Sequence, residues 1–147
     1  MSLNVLVERK SRLVKVTKIL QNTAAHSSRA VIRRLRTQPK EARRSITYDN
    51  GSENYYHQDV NRALKTNSFF CNPYHSWEKG SVENTIGLIR RFIPKKSDFQ
   101  RIPSSDIGHI EKLLNNRPKK CLNFKTPEEV YSQLLATSNT SSGALPP

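Results

Sequence analysis

Two acidic residues, Asp49 and Glu83, have the chemistry and the local sequence that could hold a divalent metal ion. Asp49 follows the short apolar segment 45–48 and precedes Asn50 and Gly51, a pattern typical of a turn at a strand end. Glu83 lies 34 positions later, in the first turn of a predicted helix. Two carboxylates from separate elements, once brought together, would give an oxygen-ligand site suited to Mg²⁺ or Mn²⁺. Each acid also has an ordinary alternative role, as a turn former and as a favourable charge at a helix N-terminus.

The histidines and cysteines form no comparable pattern. Cys71 and Cys121 are far apart in the sequence and make no C-x-x-C pair, so we expect two free thiols in a reducing environment. None of the four histidines has zinc-ligand spacing to either cysteine. Candidate chemistry therefore rests on the two acids, and of the histidines only His75 is expected near them.

The elements that would position these acids alternate between strand and helix. Apolar patterns predict strands at 5–7, 13–19, 45–48 and 69–71. Helical periodicity and capping residues predict helices at 23–37, 54–65, 81–93, 105–116 and 127–135. In the helix that carries Glu83, we expect Val82, Ile86, Ile89 and Ile93 to face the core. This order of elements favours an α/β fold with a mixed sheet flanked by helices.

Charge is unevenly distributed along the chain. The 147 residues include 25 Lys and Arg against 12 Asp and Glu, for a net charge of +13. Segment 1–44 alone holds 12 of the basic residues and only two acids. Such an excess indicates a polyanionic partner, most simply nucleic acid, although a solvated basic surface is the alternative. No apolar run is long enough to span a bilayer and no signal peptide is evident, so we expect no membrane partner.

Several segments form an ordered set of motifs: 46–53 (ITYDNGSE), 71–84 (CNPYHSWEKGSVEN) and 87–95 (GLIRRFIPK), with 6–12 before them and 114–120 and 126–130 after them. Together they resemble the integrase-core motifs of bacterial insertion-sequence transposases, in particular the IS30-like family of the retroviral-integrase superfamily. The resemblance covers roughly residues 5–135, and the spacing between Asp49 and Glu83 fits the family's pattern.

The resemblance implies a DDE transposase core on a ribonuclease-H-like fold, in which Asp49 matches the second catalytic acid and Glu83 the third. In the family these acids hold two divalent ions, Mg²⁺ or Mn²⁺, for DNA strand cleavage and strand transfer. The implied partners are transposon-end and target DNA and further copies of the chain, in the cytoplasm and nucleoid of a bacterium. Residues expected near the site are Asn50, Glu53, His75, Trp77, Lys79 and Asn84. Residues expected to contact DNA are Arg29, Arg33, Arg36, Arg90, Arg91, Lys95 and Lys96.

One departure from the family pattern concerns the first catalytic acid. In the family it lies on a strand upstream of the segment that matches 6–12, and here only Met1 to Val5 precede that segment. Glu8 belongs to the second-strand motif, so it is not assigned to the site. We therefore expect a core at 4–136 that lacks its first strand and is inactive alone, followed by a disordered tail at 137–147.

Two other functions remain open at this stage. The chain could be a basic DNA-binding or assembly module without activity, since two of three acids hold two metal ions poorly. It could also be a ribosome-associated or RNA-binding protein, although this alternative rests on charge alone and lacks the aromatic pattern of RNA modules. Mg²⁺-dependent strand transfer by a version with the first strand restored would separate the enzyme from both.

Overall fold

The computed structural model describes residues 1–73, 75 and 80–142. They form four strands: β1 (Ser2–Val7), β2 (Val14–Ile19), β3 (Ser45–Tyr48) and β4 (Asn67–Phe70). They also form five α-helices: α1 (Ala24–Leu35), α2 (His57–Leu64), α3 (Gly80–Phe92), α4 (Ser104–Asn115) and α5 (Pro127–Ser142). No helix in these ranges is long and apolar enough to cross a membrane. The predicted alternation of strands and helices is confirmed.

The strands form two separate sheets of two strands each. β1 pairs antiparallel with β2, with Val7 opposite Val14, and β3 pairs parallel with β4, with Ser45 opposite Asn67. We predicted one mixed sheet, and the described residues instead give an antiparallel and a parallel part. No described strand hydrogen-bonds to strands of both sheets.

The β1–β2 sheet lies between helices on both of its faces. Val14 and Val16 point from β2 into the larger core, which is completed by residues of α3 and α4: Ile89, Ile93, Ile107, Ile110 and Leu114. Side chains alternate between the faces of a strand, so Thr17 and Ile19 point the other way, towards α1. Both faces of β2 are therefore buried.

Side chains of α4 and β2 cover the outer edge of β2. Asn115 accepts a hydrogen bond from the Val14 N–H and donates one to the Val14 carbonyl, both at 2.8 Å. Glu111 accepts from the Val16 N–H at 2.7 Å, and Lys18 donates to the carbonyl of Ile102 at 2.8 Å. An uncovered strand edge exposes unpaired backbone groups, and here side chains satisfy them.

The β3–β4 sheet has a smaller core. Val31 of α1 packs with Val60 and Leu64 of α2, and half-buried Leu6 and Ile46 join them. Leu6 belongs to β1 and Ile46 to β3, so this cluster touches both sheets. β4 is largely exposed, and its Phe69 and Phe70 are 57% and 41% exposed. Helix α1 contacts β1 and β2, and its Val31 belongs to the cluster against which Leu6 and Ile46 pack, so this cluster links the two parts.

Two helices differ from prediction in detail. In α3 the buried positions are Thr85 and Ile89, and Ile93 is buried directly after the helix. Ile86 is exposed, so the prediction that Ile86 faces the core is wrong. The core-facing positions of α3 are spaced four residues apart, which places Thr85 rather than Ile86 against the core. Thr85 can be buried because its hydroxyl donates to the Ser81 carbonyl at 2.8 Å and needs no other polar partner. Helix α5 extends through Ser142, into the segment from 137 for which we predicted disorder. Once a helix has begun, each added residue contributes a further hydrogen bond, which outweighs weak propensities.

Candidate active site

Asp49 lies directly after β3 in a tightly bonded segment. Its carboxylate is half-buried and accepts a hydrogen bond from the Asn54 amide at 2.7 Å, and the same amide donates to the Asp49 carbonyl at 3.0 Å. These hydrogen bonds hold the acid at the strand end, as the position after an apolar strand predicts. Asn54 was not among the predicted residues, since nothing in its local sequence distinguishes it from any other turn asparagine.

The residues around Asp49 join the ends of β3 and β4. The Asn50 amide donates to the carbonyl of Cys71 at 3.0 Å, and the Cys71 N–H donates to the Tyr48 carbonyl at 2.9 Å. Burial raises the pKa of Tyr48 to about 12, although the Ser68 hydroxyl lowers it in part. Tyr48 is therefore neutral at physiological pH and adds no charge beside Asp49.

Glu53 folds back over Gly51 next to this turn. A β-carbon at Gly51 would collide with the Glu53 carboxylate, so the glycine permits the close approach of that acid. The backbone of Gly51 has an ordinary φ of −75°, which shows that the Asn-Gly pair is not a left-handed turn here. The structure thus places two predicted near-site residues, Asn50 and Glu53, beside Asp49.

Glu83 lies in the first turn of α3, and its side chain is exposed. Asn84, which follows it, is also exposed and lines a separate cavity together with Ser81 and Thr85. The buried face of α3, through Ile89, packs against the larger core and fixes the orientation of the helix. Glu83 is therefore presented to solvent from a firmly packed element, as a carboxylate that binds a ligand must be.

Glu8 has a structural role in the β1–β2 turn. Its carboxylate accepts hydrogen bonds from the Lys10 N–H at 3.1 Å, the Ser11 N–H at 2.7 Å and the Ser11 hydroxyl at 2.6 Å. Burial raises the pKa of Glu8, but these hydrogen bonds outweigh it and hold the pKa below 4.5. The Glu8 carboxylate is therefore engaged within the β1–β2 turn.

The described residues do not by themselves fit a two-ion metal site. Within 1–73, 75 and 80–142, no group of three or more His, Cys, Asp or Glu side chains is arranged to hold a metal ion. Asp49 and Glu83 supply hard oxygen donors of the right kind, but a pair is fewer than two ions require. His75 is half-buried in the described segment, whereas Trp77 and Lys79 lie outside the described residues.

The basic residues predicted to contact DNA fall into two exposed groups. Arg29, Arg33 and Arg36 are exposed along α1 and the residue after it. The second group, all exposed, lies at the end of α3 and just beyond it: Arg90, Arg91, Lys95 and Lys96. Arg34, between members of the first group, instead pairs with Glu111 at 2.5 Å. Arg34 is thus engaged with α4, whereas Arg29, Arg33 and Arg36 are exposed.

Three relatives cover much of the chain. The transposase for IS1086 of Cupriavidus metallidurans is 36% identical over 135 residues, which are 92% of this chain and 40% of the relative. The transposase InsI for IS30A of Escherichia coli is 33% identical over 134 residues, 91% of this chain and 35% of the relative. The transposase for IS4351 of Bacteroides fragilis is 47% identical over 91 residues, 62% of this chain and 28% of the relative. The homologues of this chain are transposases of the IS30 family. The chain spans well under half the length of each of these IS30-family relatives.

Solved structures agree with this assignment at the level of fold. The catalytic core domain of BIV integrase superimposes with a TM-score of 0.70 at 18% identity, covering 92% of this chain and 88% of that one. A chain of the simian T-cell lymphotropic virus intasome superimposes with a TM-score of 0.69 at 22% identity, covering 86% of this chain and 46% of that one. No protein-family model matches the chain. This IS30-family homologue therefore has the ribonuclease-H-like fold of an integrase core, as predicted.

Proposed function

We propose that this chain forms most of the catalytic core of an insertion-sequence transposase, which cleaves DNA strands and transfers them. The observation that carries the proposal is the match of nine-tenths of the chain to IS30-family transposases on an integrase-core fold. Asp49 and Glu83 act as two of its catalytic carboxylates. The alternative of a non-catalytic basic module is not favoured, because the relatives that cover nine-tenths of the chain are transposases.

Local geometry supports these roles for the two acids. The Asn54 amide orients the Asp49 carboxylate at the end of a strand, and the buried face of α3 orients Glu83. Side chains whose positions are fixed before a substrate arrives avoid the entropic cost of ordering them in the reaction. In the complete protein we expect the pair, with a third acid, to hold two ions of Mg²⁺ or Mn²⁺.

The proposed substrates are transposon-end DNA and target DNA. The exposed arginines of α1 and the basic end of α3 provide positive surface for backbone phosphates. We also propose that the protein works as a homo-oligomer, because more than one copy of the transposon end must be held when two DNA segments are joined. The described surface leaves this basic area open to DNA.

The test compares strand transfer by a complete transposase containing this chain with strand transfer by its variants, in the presence of Mg²⁺. Asp49→Asn and Glu83→Gln should each lower the rate by at least about 10³-fold, since each removes charge from the reacting centre. Asp106→Asn and Glu128→Gln are matched controls on exposed helix starts and should leave the rate unchanged. Normal activity in either site variant would overturn the assignment of that acid.

A second measurement addresses the chain alone. We expect the 147-residue chain to show no strand transfer on the same DNA, because its described residues lack a third acid beside the pair. Activity comparable with that of the complete protein would mean that some other acid completes the site.

A further inference from the structure

A cavity of about 220 Å³ lies where three segments meet: the β1–β2 turn, the start of α3 and the loop after α4. No acidic side chain is among its described lining residues, which are Arg12, Gly80, Ser81, Asn84, Thr85, Lys119 and Cys121. Two cations and several hydrogen-bond donors thus surround an open space. Such a lining suits an anion with several oxygen atoms.

Arg12 is held in place at this cavity. Its backbone adopts a left-handed φ of 62°, and its N–H donates to the carbonyl of Glu8 at 2.8 Å. The guanidinium group of Arg12 donates to the hydroxyl of Ser81 in the first turn of α3. A left-handed conformation is costly for a residue with a side chain, so this turn keeps Arg12 at the cavity despite strain.

Lys119 reaches the cavity from a closed loop. Its N–H donates to the Lys125 carbonyl at 3.0 Å, and its own carbonyl accepts from the Phe124 N–H at 2.9 Å. Burial lowers the pKa of the Lys119 ammonium; the Cys121 sulfur opposes this, and the positive charges of Arg12 and Arg117 lower it further. An anion in the cavity would offset the repulsion between these positive charges and favour the charged form of Lys119.

We propose that this cavity, which we call the Arg12–Lys119 pocket, binds a backbone phosphate of the DNA substrate. The phosphate would receive charge-assisted hydrogen bonds from Arg12 and Lys119 and balance their charge. The inference rests on the proposed function, because it takes DNA to be the substrate. It adds a site at which the strand is held outside the two acids.

The pocket phosphate is not the one that reacts. Among the α3 residues that line the pocket, Ser81 and Asn84 lie on one side of the helix, and Glu83 lies roughly 160° and 100° around the axis from them. A phosphate bound there contacts the same helical turn as Glu83 without approaching its carboxylate. Contacts of this kind set the position of the strand rather than its chemistry.

The first test measures binding of a fluorescently labelled duplex to the full 147-residue chain over a range of salt concentrations. Arg12→Gln combined with Lys119→Gln should weaken binding about tenfold and reduce the slope of log K against log salt by about 1, the value of one phosphate contact. The control combines Lys40→Gln with Arg101→Gln, which alter two exposed cations away from the pocket. This control variant has the same net charge as the pocket variant. An equal loss in both double variants, or none in the pocket variant, would overturn the proposal.

The second test uses no pocket substitution and so does not depend on the folding of a variant. Cys121 is exposed and lines the pocket, whereas Cys71 is buried and serves as an internal reference. Saturating duplex DNA should slow alkylation of Cys121 several-fold and leave Cys71 unchanged. If DNA does not slow the alkylation of Cys121, the proposed phosphate site is wrong, although DNA binding elsewhere on the chain would still stand. If the unmodified chain and the control bind no DNA at low salt, the proposed function itself fails.

Discussion

The β1–β2 sheet and the β3–β4 sheet differ in how completely their faces and edges are covered. Both faces of β2 are buried, its outer edge is bonded by Asn115 and Glu111, and its turn is bonded by Glu8. The β3–β4 sheet packs on a cluster of only three buried residues, and Phe69 and Phe70 of β4 are exposed. The first sheet is therefore expected to be the more stable part of the molecule.

This difference matters because each of the two parts carries one of the two candidate acids. Glu83 projects from α3, which packs on the β1–β2 sheet, whereas Asp49 ends a strand of the β3–β4 sheet. Their relative placement depends on the smaller cluster, against which Leu6 of β1 and Ile46 of β3 pack.

The largest expected effect lies in the better-packed part. Asn115→Leu removes both side-chain hydrogen bonds to Val14 and leaves two buried backbone groups without partners, which should lower the free energy of unfolding by about 4 kcal/mol. Asn116→Leu alters the exposed neighbour, whose amide bonds the Lys112 carbonyl at 2.9 Å, and should cost less than about 1 kcal/mol. Urea unfolding measures both. Equal costs would show that the bonded edge of β2 contributes no special stability.

The next largest effect is expected in the less completely packed part, the β3–β4 sheet and its cluster. Leu64→Ala empties the centre of the smaller cluster, where Leu64 is fully buried, and should cost about 3 kcal/mol. Native-state hydrogen exchange should then show faster exchange of the β3 amides, Thr47 among them, with little change at Val16 of β2. If both sheets lose protection together, the molecule unfolds as one unit and the comparison between them is wrong.

A smaller, stabilising effect is expected at the end of α2. Lys65 caps this helix with φ 52° and ψ 51°, a left-handed conformation that favours glycine. Lys65→Gly should raise the free energy of unfolding by about 1 kcal/mol, because glycine adopts this conformation without the steric cost. Lys65→Ala removes the same charge but keeps a β-carbon, so it should give no gain. A thermal melt distinguishes the two variants, and equal melting temperatures would mean that strain at this position is negligible.

The sequence predicted the elements of the fold well and their assembly less well. Alternating apolar residues located β2, and the Thr126–Glu129 capping box located the start of α5, where the Thr126 N–H donates to the Glu129 carboxylate at 2.8 Å. Periodicity could not choose between Thr85 and Ile86, because a threonine that bonds its own helix looks polar in the sequence and is buried in the structure. Long-range edge bonds such as that of Asn115 to Val14 span 101 residues and leave no local signal.

For the candidate site, the sequence predicted which residues to examine, and their mutual arrangement stays a prediction. Asp49 is at a strand end and Glu83 in a first helical turn, as their local sequences indicated. The support given by Asn54 and the Arg12–Lys119 pocket were missed, because both depend on contacts between segments that are distant or unremarkable in sequence. Arg12 lies within a motif and Lys119 within another, but only the fold brings them together.

The smallest expected effect concerns Glu8 and the pH dependence of the better-packed sheet. Burial raises the pKa of Glu8, yet its hydrogen bonds to Ser11 and Lys10 outweigh burial and leave the folded-state pKa below 4.5. A carboxyl with a lower pKa in the folded state stabilises the protein above the unfolded-state pKa, and this contribution is lost as pH falls through the folded-state pKa. Between about pH 5 and pH 3 the wild-type chain should therefore lose slightly more stability than Glu8→Gln, by less than about 1 kcal/mol because Glu8 is only half-buried. Urea unfolding across this range, with exposed Glu41→Gln as the control, provides the measurement. Parallel curves for the wild type and Glu8→Gln would show that the turn is held without the Glu8 charge, and the β1–β2 sheet would then owe its stability to its faces and outer edge alone.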